Sequence, residues 1–505
     1  MMGYNEANID LAERRCLPLE KRGFDNEKYL LLQSRHIRQR LDTFGGKLYL
    51  EFGGKLFDDN HAARVLPGFE PDSKLQMLLQ LKEQVEMVIV INAGDIEKNK
   101  IRGDLGITYE RDVLRLLEIF RDLGLYVSSV VLTRFDGQSV ARAFQSRLEG
   151  MGLKVYHHYD IDGYPSDTAR VVSEEGFGRN EYIETSRSLV VVTAPGPGSG
   201  KLATCLSQLY HDHKRGIQAG YAKFETFPIW NMPLNHPVNL AYEAATADLN
   251  DVNMLDPFHL EAYGTTTVNY NRDVEAFPVL VEMFKQISGF CPYKSPTDMG
   301  VNMVGNCIID DEVVKEASRQ EIICRYYAAL CDHKKGTASD EVVRKLELLM
   351  KKGNVDLDAR RVVAPALAKA AENGKPAVAM ELPDGRIVTG KTSSLLGASS
   401  ACLINALKTL GSIRDSLHLI SPVFIDPIQK LKVGYLGNRN PRLHTDEVLI
   451  ALAISAATNP TAELAVEQLR NLRGCEVHST VMLSEVDEKV FKRLGVRLTC
   501  EPQFK

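Results

Sequence analysis

The sequence predicts an α/β protein in three consecutive segments, the first of which contains a mainly parallel β-sheet. Short apolar runs alternate with amphipathic stretches from Lys47 onward, and the alternation resumes after a helical stretch in the second half. Strands that alternate with helices are joined by crossover connections, which favour parallel pairing and helices on both faces of the sheet. We expect the segments to comprise residues 1–310, 311–373 and 374–505.

The first segment contains six apolar runs with the length of buried strands. These are Lys47–Phe52, Met87–Asn92, Tyr126–Thr133, Leu153–His157, Ser188–Thr193 and Gln218–Lys223. Apolar periodicity predicts the intervening helices at Ser73–Gln84, Tyr109–Leu123, Gln138–Gly150 and Gly200–Arg215. Residues 216–306 are rich in Pro, Asn, Asp and aromatic residues, and a long polar stretch of this kind is more often functional than merely connecting.

The second segment is predicted to be a helical module, and the third a further α/β unit. The helices of the module are expected at Glu312–Cys331, Ser339–Lys352 and Asp356–Glu372. In the third segment, Pro383-Asp384-Gly385 predicts a hairpin between Ala377–Leu382 and Arg386–Thr389, because Asp-Gly tolerates positive φ angles. Helices then follow at Leu396–Leu410, Asp446–Ala457 and Ala462–Leu472, with strands at Glu476–Val481 and Val496–Thr499.

The composition is that of a soluble globular protein, with 44% apolar and 25% charged residues. The 61 Lys and Arg residues against 66 Asp and Glu residues argue against a general nucleic-acid binder, which would show a basic face. No stretch approaches the roughly 20 apolar residues of a membrane span. The N-terminus lacks the apolar core of a signal peptide, and the nine cysteines never occur as CxxC. We therefore expect a cytoplasmic protein without partners among membranes or nucleic acids.

A glycine-rich segment between the predicted strand Ser188–Thr193 and the following helix is typical of a phosphate-binding loop, or P-loop. It reads Thr193-Ala194-Pro195-Gly196-Pro197-Gly198-Ser199-Gly200-Lys201. Gly196, Gly198 and Gly200 allow the backbone around Ser199 to approach a ligand closely and turn its N–H groups inward. The helix N-terminus adds a partial positive charge, and the Lys201 ammonium can reach terminal phosphate oxygens.

The loop departs from the GxxxxGK[ST] pattern at two positions. Pro195 occupies the place of the first glycine, and Leu202 replaces the Ser or Thr that binds the metal ion. Thr204 is a possible substitute for that hydroxyl, although its spacing differs. The alternative interpretation is a glycine-rich turn that only joins strand to helix.

A second lysine, Lys223, lies at the end of the next predicted strand, where open α/β sheets bind ligands. Together with the glycine-rich loop, this layout resembles the CTP synthetase and dethiobiotin synthetase group of P-loop enzymes. The resemblance implies that Lys201 and Lys223 bind phosphates in catalysis, and that Asp248 or Asp251 helps to hold Mg²⁺. Both aspartates could instead be helix caps or turn residues.

Asp95 follows the predicted strand Met87–Asn92 and could accept a hydrogen bond from a ribose or other sugar hydroxyl. The basic residues after it, in the segment Glu97–Lys100 and at Arg102, are compatible with a mobile basic flap or with an ordinary solvated loop.

The hairpin and small-residue helix of the third segment resemble the cytidine-deaminase-like fold, but the zinc motifs H/C-x-E and PCxxC are absent. Gly390-Lys391-Thr392 imitates the end of a P-loop without the upstream glycines. A cluster of ionisable residues, His444, Asp446 and Glu447, could be taken for a functional site. A helix cap at Thr445 followed by acidic first-turn residues explains it.

Four runs resemble a widespread family of bacterial proteins of unknown function: VVVTAPGPGSGK (190–201), YAKFETFPIWN (221–231), AATADLNDVNM (244–254) and SPTDMGVNM (295–303). Some members carry the label ATP-dependent zinc protease. We reject that label here because His211-Asp212-His213 lacks the two histidines at i and i+4 and the glutamate of HExxH.

The leading expectation is an ATP-using enzyme of phosphoryl-transfer or ligase type that acts on a small metabolite, with Mg²⁺ as a cofactor. The alternatives are a non-catalytic sensor of a nucleotide or phosphometabolite and a metal-free, metabolite-modifying enzyme centred on the third segment, for which a ligand near Lys391 would be the sign. The size of the chain makes a homo-oligomer plausible.

Overall fold

The computed structural model describes residues 22–504, apart from residues 55, 58, 104 and 250. These residues form two compact units, one of residues 22–243 and 249–318, the other of residues 244–248 and 319–504. The helices predicted as a separate module lie mostly in the second unit. None of the described helices is long and apolar enough to cross a membrane. Residues 1–21, on which the prediction about a signal peptide rests, lie outside the described residues.

From residue 22 to residue 301, helices and short strands alternate. In chain order they are α1 (Asn26–Thr43), β1 (Leu48–Phe52), α2 (Asn60–Val65), α3 (Ser73–Gln80), β2 (Val85–Asn92), α4 (Ala93–Glu97), β3 (Ile101–Arg102), β4 (Ile107–Thr108), α5 (Tyr109–Asp122), β5 (Tyr126–Thr133), α6 (Ser139–Gly150), β6 (Lys154–His157), α7 (Thr168–Val171), β7 (Leu189–Thr193), α8 (Lys201–Lys214), β8 (Gly220–Phe224), α9 (Pro237–Ala245), β9 (Asn253–Leu255), α10 (Pro257–Tyr263), β10 (Val268–Tyr270), α11 (Asn271–Ser288), α12 (Pro296–Met299) and β11 (Gly300–Val301).

Seven strands of the first unit form one parallel sheet, in the order β11-β8-β1-β7-β2-β5-β6. This confirms the prediction of an α/β fold with a large parallel sheet. The connection after β7 leads through α8 to β8 on one side, whereas the connection after β2 leads to β5 on the other. Open sheets bind ligands at the carboxyl ends of strands where connections diverge in this way. The loop that follows β7 lies at that point.

The core of the first unit forms because its central strands are apolar on both faces. Every residue of β1 and β7 is buried, as a parallel sheet covered on both sides requires. Asp212, which is fully buried, fixes the C-terminal end of α8. Its carboxylate accepts hydrogen bonds from the hydroxyls of Tyr49 at 2.8 Å and Tyr182 at 3.0 Å, and it pairs with Lys47 at 2.7 Å. These contacts hold α8 against the sheet.

The second part of the chain begins within a long helix. Its elements are α13 (Asp311–Lys335), α14 (Asp340–Lys352), α15 (Val363–Asn373), β12 (Ala377–Glu381), β13 (Ile387–Lys391), α16 (Ala398–Leu410), α17 (Pro422–Lys430), a π-helical turn (Leu431–Tyr435), α18 (Thr445–Ala456), α19 (Pro460–Glu467), β14 (Glu476–Ser479), α20 (Glu485–Arg493) and β15 (Arg497–Cys500). The four strands pair in the order β13-β12-β14-β15. β12 is antiparallel to both neighbours, and β14 and β15 are parallel.

A buried arginine anchors the turn before α15 to the sheet of the second unit. Arg360 is 1% exposed, and its guanidinium donates to the Thr499 hydroxyl at 2.8 Å and to Glu476 at 2.7 Å. The same group donates to the backbone carbonyls of Val477 at 3.1 Å and Arg497 at 2.8 Å. A buried guanidinium is tolerated only when its charge and its N–H groups are satisfied in this manner.

Candidate functional site

The glycine-rich loop joins β7 to α8 and has the backbone shape expected of an anion cradle. Gly198 has φ 74° and Gly200 has φ 90°, in the left-handed region that favours glycine. Helix α8 begins directly afterwards at Lys201, and Gly200 provides no side-chain cap for its first turn. The N–H groups of a helix N-terminus point outward and carry a partial positive charge. Pro197 and Gly198 are exposed, so the outer side of the loop is open to solvent.

Two residues of neighbouring elements hold the loop in place. The hydroxyl of Thr133, at the end of β5, donates to the carbonyl oxygen of Ser199 at 2.7 Å. Tyr109, the first residue of α5, packs so closely that a Cβ on Gly196 would lie 2.2 Å from its hydroxyl oxygen. Within the loop, the Ser199 hydroxyl donates to the carbonyl of Gly196 at 2.8 Å. The contact with Tyr109 explains why a glycine is needed at position 196.

Lys201 faces a buried carboxylate that belongs to none of the motifs in the sequence. Its Nζ atom lies 4.0 Å from Oε1 of Glu51 in the adjacent strand β1. The other oxygen of Glu51 accepts a hydrogen bond of 2.8 Å from the Tyr221 hydroxyl. The only signal in the sequence is one acidic residue inside the apolar run Leu48-Tyr49-Leu50-Glu51-Phe52. Buried charged residues need a partner, and Lys201 is placed to be that partner.

Lys223 lies two strands away from the loop and is held by two carboxylates. Its ammonium pairs with Glu225 at 2.8 Å and with Asp273 at the start of α11. Burial lowers the pKa of Lys223, but Asp273 and Glu225 raise it more strongly, so the pKa lies above its ordinary value. For Glu225, burial raises the pKa and Lys223 lowers it, and the effect of burial is the larger, so the pKa lies above its ordinary value. Lys223 is therefore a neutralised cation within a polar cluster.

Thr204 lies one turn into α8 and is fully buried. Its hydroxyl oxygen is 3.4 Å from Nδ1 of His158, which follows β6. Burial lowers the pKa of His158 to about 3, so that this imidazole is neutral at pH 7. The Thr204 side chain thus contacts the interior, away from the mouth of the loop.

Asp95 lies in the short helix α4 and pairs with Lys100 at 3.2 Å. The basic segment that follows forms the two-stranded hairpin of β3 and β4, and Arg102 within it pairs with Asp112 at 2.7 Å. Glu97 accepts hydrogen bonds from the backbone N–H groups of residues 140 and 141 at the start of α6. β3 and β4 thus pair as antiparallel strands, and Glu97 links the residues before them to α6.

The two aspartates considered as metal ligands have different surroundings. Asp248 is exposed and belongs to the second unit. Asp251 belongs to the first unit, is buried, and pairs with the guanidinium of Arg272 at 2.7 Å. Among the described residues, no group of three or more His, Cys, Asp or Glu side chains could hold a metal ion.

The two features singled out in the third segment have structural explanations. A Cβ on Gly390 would lie 2.1 Å from the backbone nitrogen of Cys402, so Gly390 permits close packing of β13 against α16. Lys391 donates to the side-chain carbonyl of Asn373 at 2.6 Å. His444 and Glu447 form a capping box at the start of α18, in which the Glu447 carboxylate accepts from the His444 N–H at 2.7 Å. The acidic first turn is confirmed, but the predicted Thr445 cap is wrong, because the helix begins at Thr445 and His444 is its capping residue.

Comparison with known proteins agrees with the resemblance seen in the sequence. Residues 22–354 match the model described as domain of unknown function DUF1846, N-terminal, and residues 358–505 match its C-terminal counterpart. A UPF0371 protein of Corynebacterium efficiens is 59% identical over 483 residues, which cover 95% of this chain and 98% of the relative. A UPF0371 protein of Streptococcus thermophilus is 58% identical over 486 residues, with 96% and 98% coverage. The chain therefore belongs to the DUF1846, or UPF0371, family of bacterial proteins of unknown function.

Proposed function

We propose that this protein binds a nucleotide or another phosphorylated ligand at residues 194–201, with a phosphate group beside Lys201. The observation that carries the proposal is the position of the loop. Two left-handed glycines, Gly198 and Gly200, lead into the N-terminus of α8 where the sheet connections diverge. Phosphate groups are favoured at such N-termini because backbone N–H groups and the helix dipole act together.

Lys201 supports the proposal because its ammonium can exchange Glu51 for a phosphate group as its partner. The distance of 4.0 Å to Glu51 is long for an ion pair, and a phosphate oxygen would form a shorter, charge-assisted contact. Lys223 is a weaker phosphate ligand than the resemblance to CTP synthetase and dethiobiotin synthetase implies, because Glu225 and Asp273 already neutralise its charge. We assign Lys223 to the part of the site that receives a second substrate.

Turnover of ATP by phosphoryl transfer or ligation is the catalytic form of this proposal. A row of ionisable groups beside the loop supports it, since Glu51 and Lys223 occupy equivalent register positions on adjacent strands. In this form Mg²⁺ would be bound mainly by phosphate oxygens and water, with one or two carboxylates. Glu51 lies next to Lys201, whereas Asp251 is occupied by Arg272, so Glu51 is our preferred carboxylate.

A non-catalytic sensor is the second candidate. Leu202 provides no hydroxyl next to Lys201, and the Thr204 hydroxyl faces His158 in the interior. A site without this hydroxyl lacks the usual protein ligand of Mg²⁺ in P-loop enzymes. Phosphate release from ATP that exceeds the no-enzyme rate and is lost in Lys201→Ala favours the enzyme; tight binding without release favours the sensor.

For the second unit we infer a cytidine-deaminase-like architecture without deaminase chemistry. The supporting features are the hairpin of β12 and β13, the helix α16 that follows it, and the parallel pair β14 and β15. No role in the proposed binding site is assigned to this unit.

Thermal unfolding with and without nucleotide tests the proposal. We expect ATP to raise the melting temperature of the wild-type protein, and Lys201→Ala to abolish the rise. Lys214→Ala is the matched control, because Lys214 ends the same helix, is 48% exposed and pairs with a surface glutamate, Glu174. Absence of any shift with nucleotides and sugar phosphates in the wild type would overturn the proposal, and so would an equal loss in both variants.

A further inference from the structure

The two sides of the loop differ in how their charged side chains are balanced: each cation on one side has a single carboxylate partner, whereas on the other side three carboxylates share Lys201 and Lys223. The side of β2 and β5 carries Lys100, which precedes the β3–β4 hairpin and pairs with Asp95, and Arg134, which follows β5 and pairs with Asp160. On the side of β1 and β8 lie three carboxylates, those of Glu51, Glu225 and Asp273. We call these the cation side and the carboxylate side.

Lys100 is separated from the loop by one aromatic ring. Its ammonium lies 4.9 Å from the centre of the Tyr109 ring, and the hydroxyl end of that ring contacts Gly196. The backbone of Lys100 is fixed, because its N–H donates to the carbonyl of Asp95 at 3.0 Å and its own carbonyl accepts from the Tyr109 N–H at 2.9 Å. The side chain is 42% exposed and pairs with Asp95. Because its backbone is anchored and its ammonium is exposed, Lys100 can exchange Asp95 for a ligand as its partner.

Arg134 is connected to the loop through its neighbour in the chain. It follows Thr133, whose hydroxyl donates to the carbonyl of Ser199. Arg134 has φ 52°, a left-handed conformation that is uncommon for a residue with a side chain and that occurs often at ligand sites. Its guanidinium lies 3.1 Å from Asp160 in an ion pair whose partners are 65% and 72% exposed. Exposed pairs of this kind are weak, so a ligand can replace Asp160.

In the absence of a metal ion, the carboxylate side would repel a second phosphate group. Glu51 faces Lys201 and accepts a hydrogen bond from a tyrosine hydroxyl, and Lys223 is shared between Glu225 and Asp273. A phosphate bound at Lys201 competes with Glu51 for that lysine and draws the cation away from the carboxylate. Extension of the phosphate chain in this direction is therefore unfavourable.

We infer that the ligand carries at least two adjacent phosphate groups, and that its phosphate chain runs from the loop toward Lys100 and Arg134. The inference rests on the proposed function and adds the class of ligand and its direction in the site. The phosphate chain replaces Asp95 and Asp160 as the partner of each cation, and charge-assisted contacts with phosphate are stronger than the exposed pairs that they replace. A co-substrate with a hydroxyl or amino group then faces the carboxylate side.

Titration with inorganic phosphate and with pyrophosphate, at constant ionic strength, tests this inference. We expect the wild type to bind pyrophosphate at least about tenfold more tightly than phosphate, because pyrophosphate gains two charge-assisted contacts. Lys100→Ala and Arg134→Ala should each weaken pyrophosphate binding about fivefold or more and leave phosphate binding unchanged. Lys154→Ala is the control, since Lys154 belongs to an exposed ion pair with Glu184 at the amino end of β6.

Asp160→Asn gives a test that loss of folding cannot imitate. Removal of the carboxylate frees Arg134, so this variant should bind pyrophosphate more tightly than the wild type. Equal affinities of the wild type for phosphate and pyrophosphate would overturn the inference while the proposed function stands, and so would unchanged pyrophosphate binding in Lys100→Ala and Arg134→Ala. A wild type that binds neither these anions nor ATP would overturn the proposed function itself.

Discussion

The hydroxyl of Thr133 donates a hydrogen bond of 2.7 Å to the carbonyl oxygen of Ser199, across 66 residues of sequence. Thr133 ends β5, whereas Ser199 belongs to the loop after β7, two strands away in the sheet. The methyl carbon of Thr133 also lies 3.1 Å from the position that a Cβ on Gly200 would take. One buried threonine therefore fixes the shape of the loop from which the N-terminus of α8 emerges.

Substitution of Thr133 by valine should loosen the loop with little effect on the strand. Valine keeps the β-branched shape but leaves the Ser199 carbonyl without its donor, which costs about 1–3 kcal/mol when the group is buried. We expect a lower melting temperature and at least about tenfold weaker nucleotide binding in calorimetry. Thr133→Ser keeps the hydroxyl and serves as the control. Wild-type affinity in Thr133→Val would show that the loop does not depend on this bond.

Gly196→Ala should reduce stability and nucleotide binding more than Gly150→Ala does. The new Cβ would lie 2.2 Å from the Tyr109 hydroxyl oxygen, so the loop or the Tyr109 ring has to move. We expect a loss of about 1–3 kcal/mol in the free energy of unfolding, together with loss of nucleotide binding. Gly150→Ala is the control, because a Cβ there meets nothing within 4 Å and alanine favours the helix α6. Similar stability losses in the two variants would contradict the packing argument.

Arg360→Ala should destabilise the second unit strongly. The change removes the guanidinium that donates to Glu476 and to two backbone carbonyls, and Glu476 keeps only the longer contact of 3.3 Å with Arg497. Breaking a buried ion pair costs about 3–5 kcal/mol. The neighbouring residue supplies the control: Arg361 is 60% exposed and pairs with Glu381 at the surface, so that Arg361→Ala should change stability by less than about 1 kcal/mol. Denaturant unfolding monitored by circular dichroism distinguishes the two outcomes.

The stability of the second unit should fall at acidic pH because of Asp487. Burial raises the pKa of this carboxyl, but hydrogen bonds from His444 and Thr445 lower it more, so that the pKa lies well below its ordinary value. A depressed pKa contributes stability above the unfolded value of about 3.9, and this stability is lost as the pH falls toward the folded value. Asp487→Asn should be less stable than the wild type at pH 6, with a difference that shrinks below about pH 4. A difference that does not depend on pH would contradict the assignment.

The layers of the fold are predictable from the sequence where strands are short and apolar. Tyr126–Thr133 has the predicted bounds, and β7 differs from its prediction by one residue. Helix α1 is not predicted, since most of its 18 residues are polar. Helix α11 is also missed, because Pro278 within it interrupts the expected pattern. Both helices are stabilised by packing that a local pattern does not contain.

The candidate site is predictable only in part. The glycines and Lys201 are adjacent in the sequence, so their pattern alone indicates a phosphate loop. Glu51, Tyr109 and Thr133 contact this loop from elements that are distant in sequence, and their proximity depends on the strand order of the sheet. The pairing of Lys223 with Asp273 likewise depends on the position of α11, which the local pattern does not predict.

A crystal structure with a non-hydrolysable ATP analogue tests the central claim most directly. We predict phosphate density within hydrogen-bonding distance of the backbone N–H groups of residues 198–201 and of the Lys201 ammonium, with the phosphate chain directed toward Lys100 and Arg134. Analogue bound elsewhere on the protein, with residues 194–201 left without ligand density at saturating concentration, would contradict the claim.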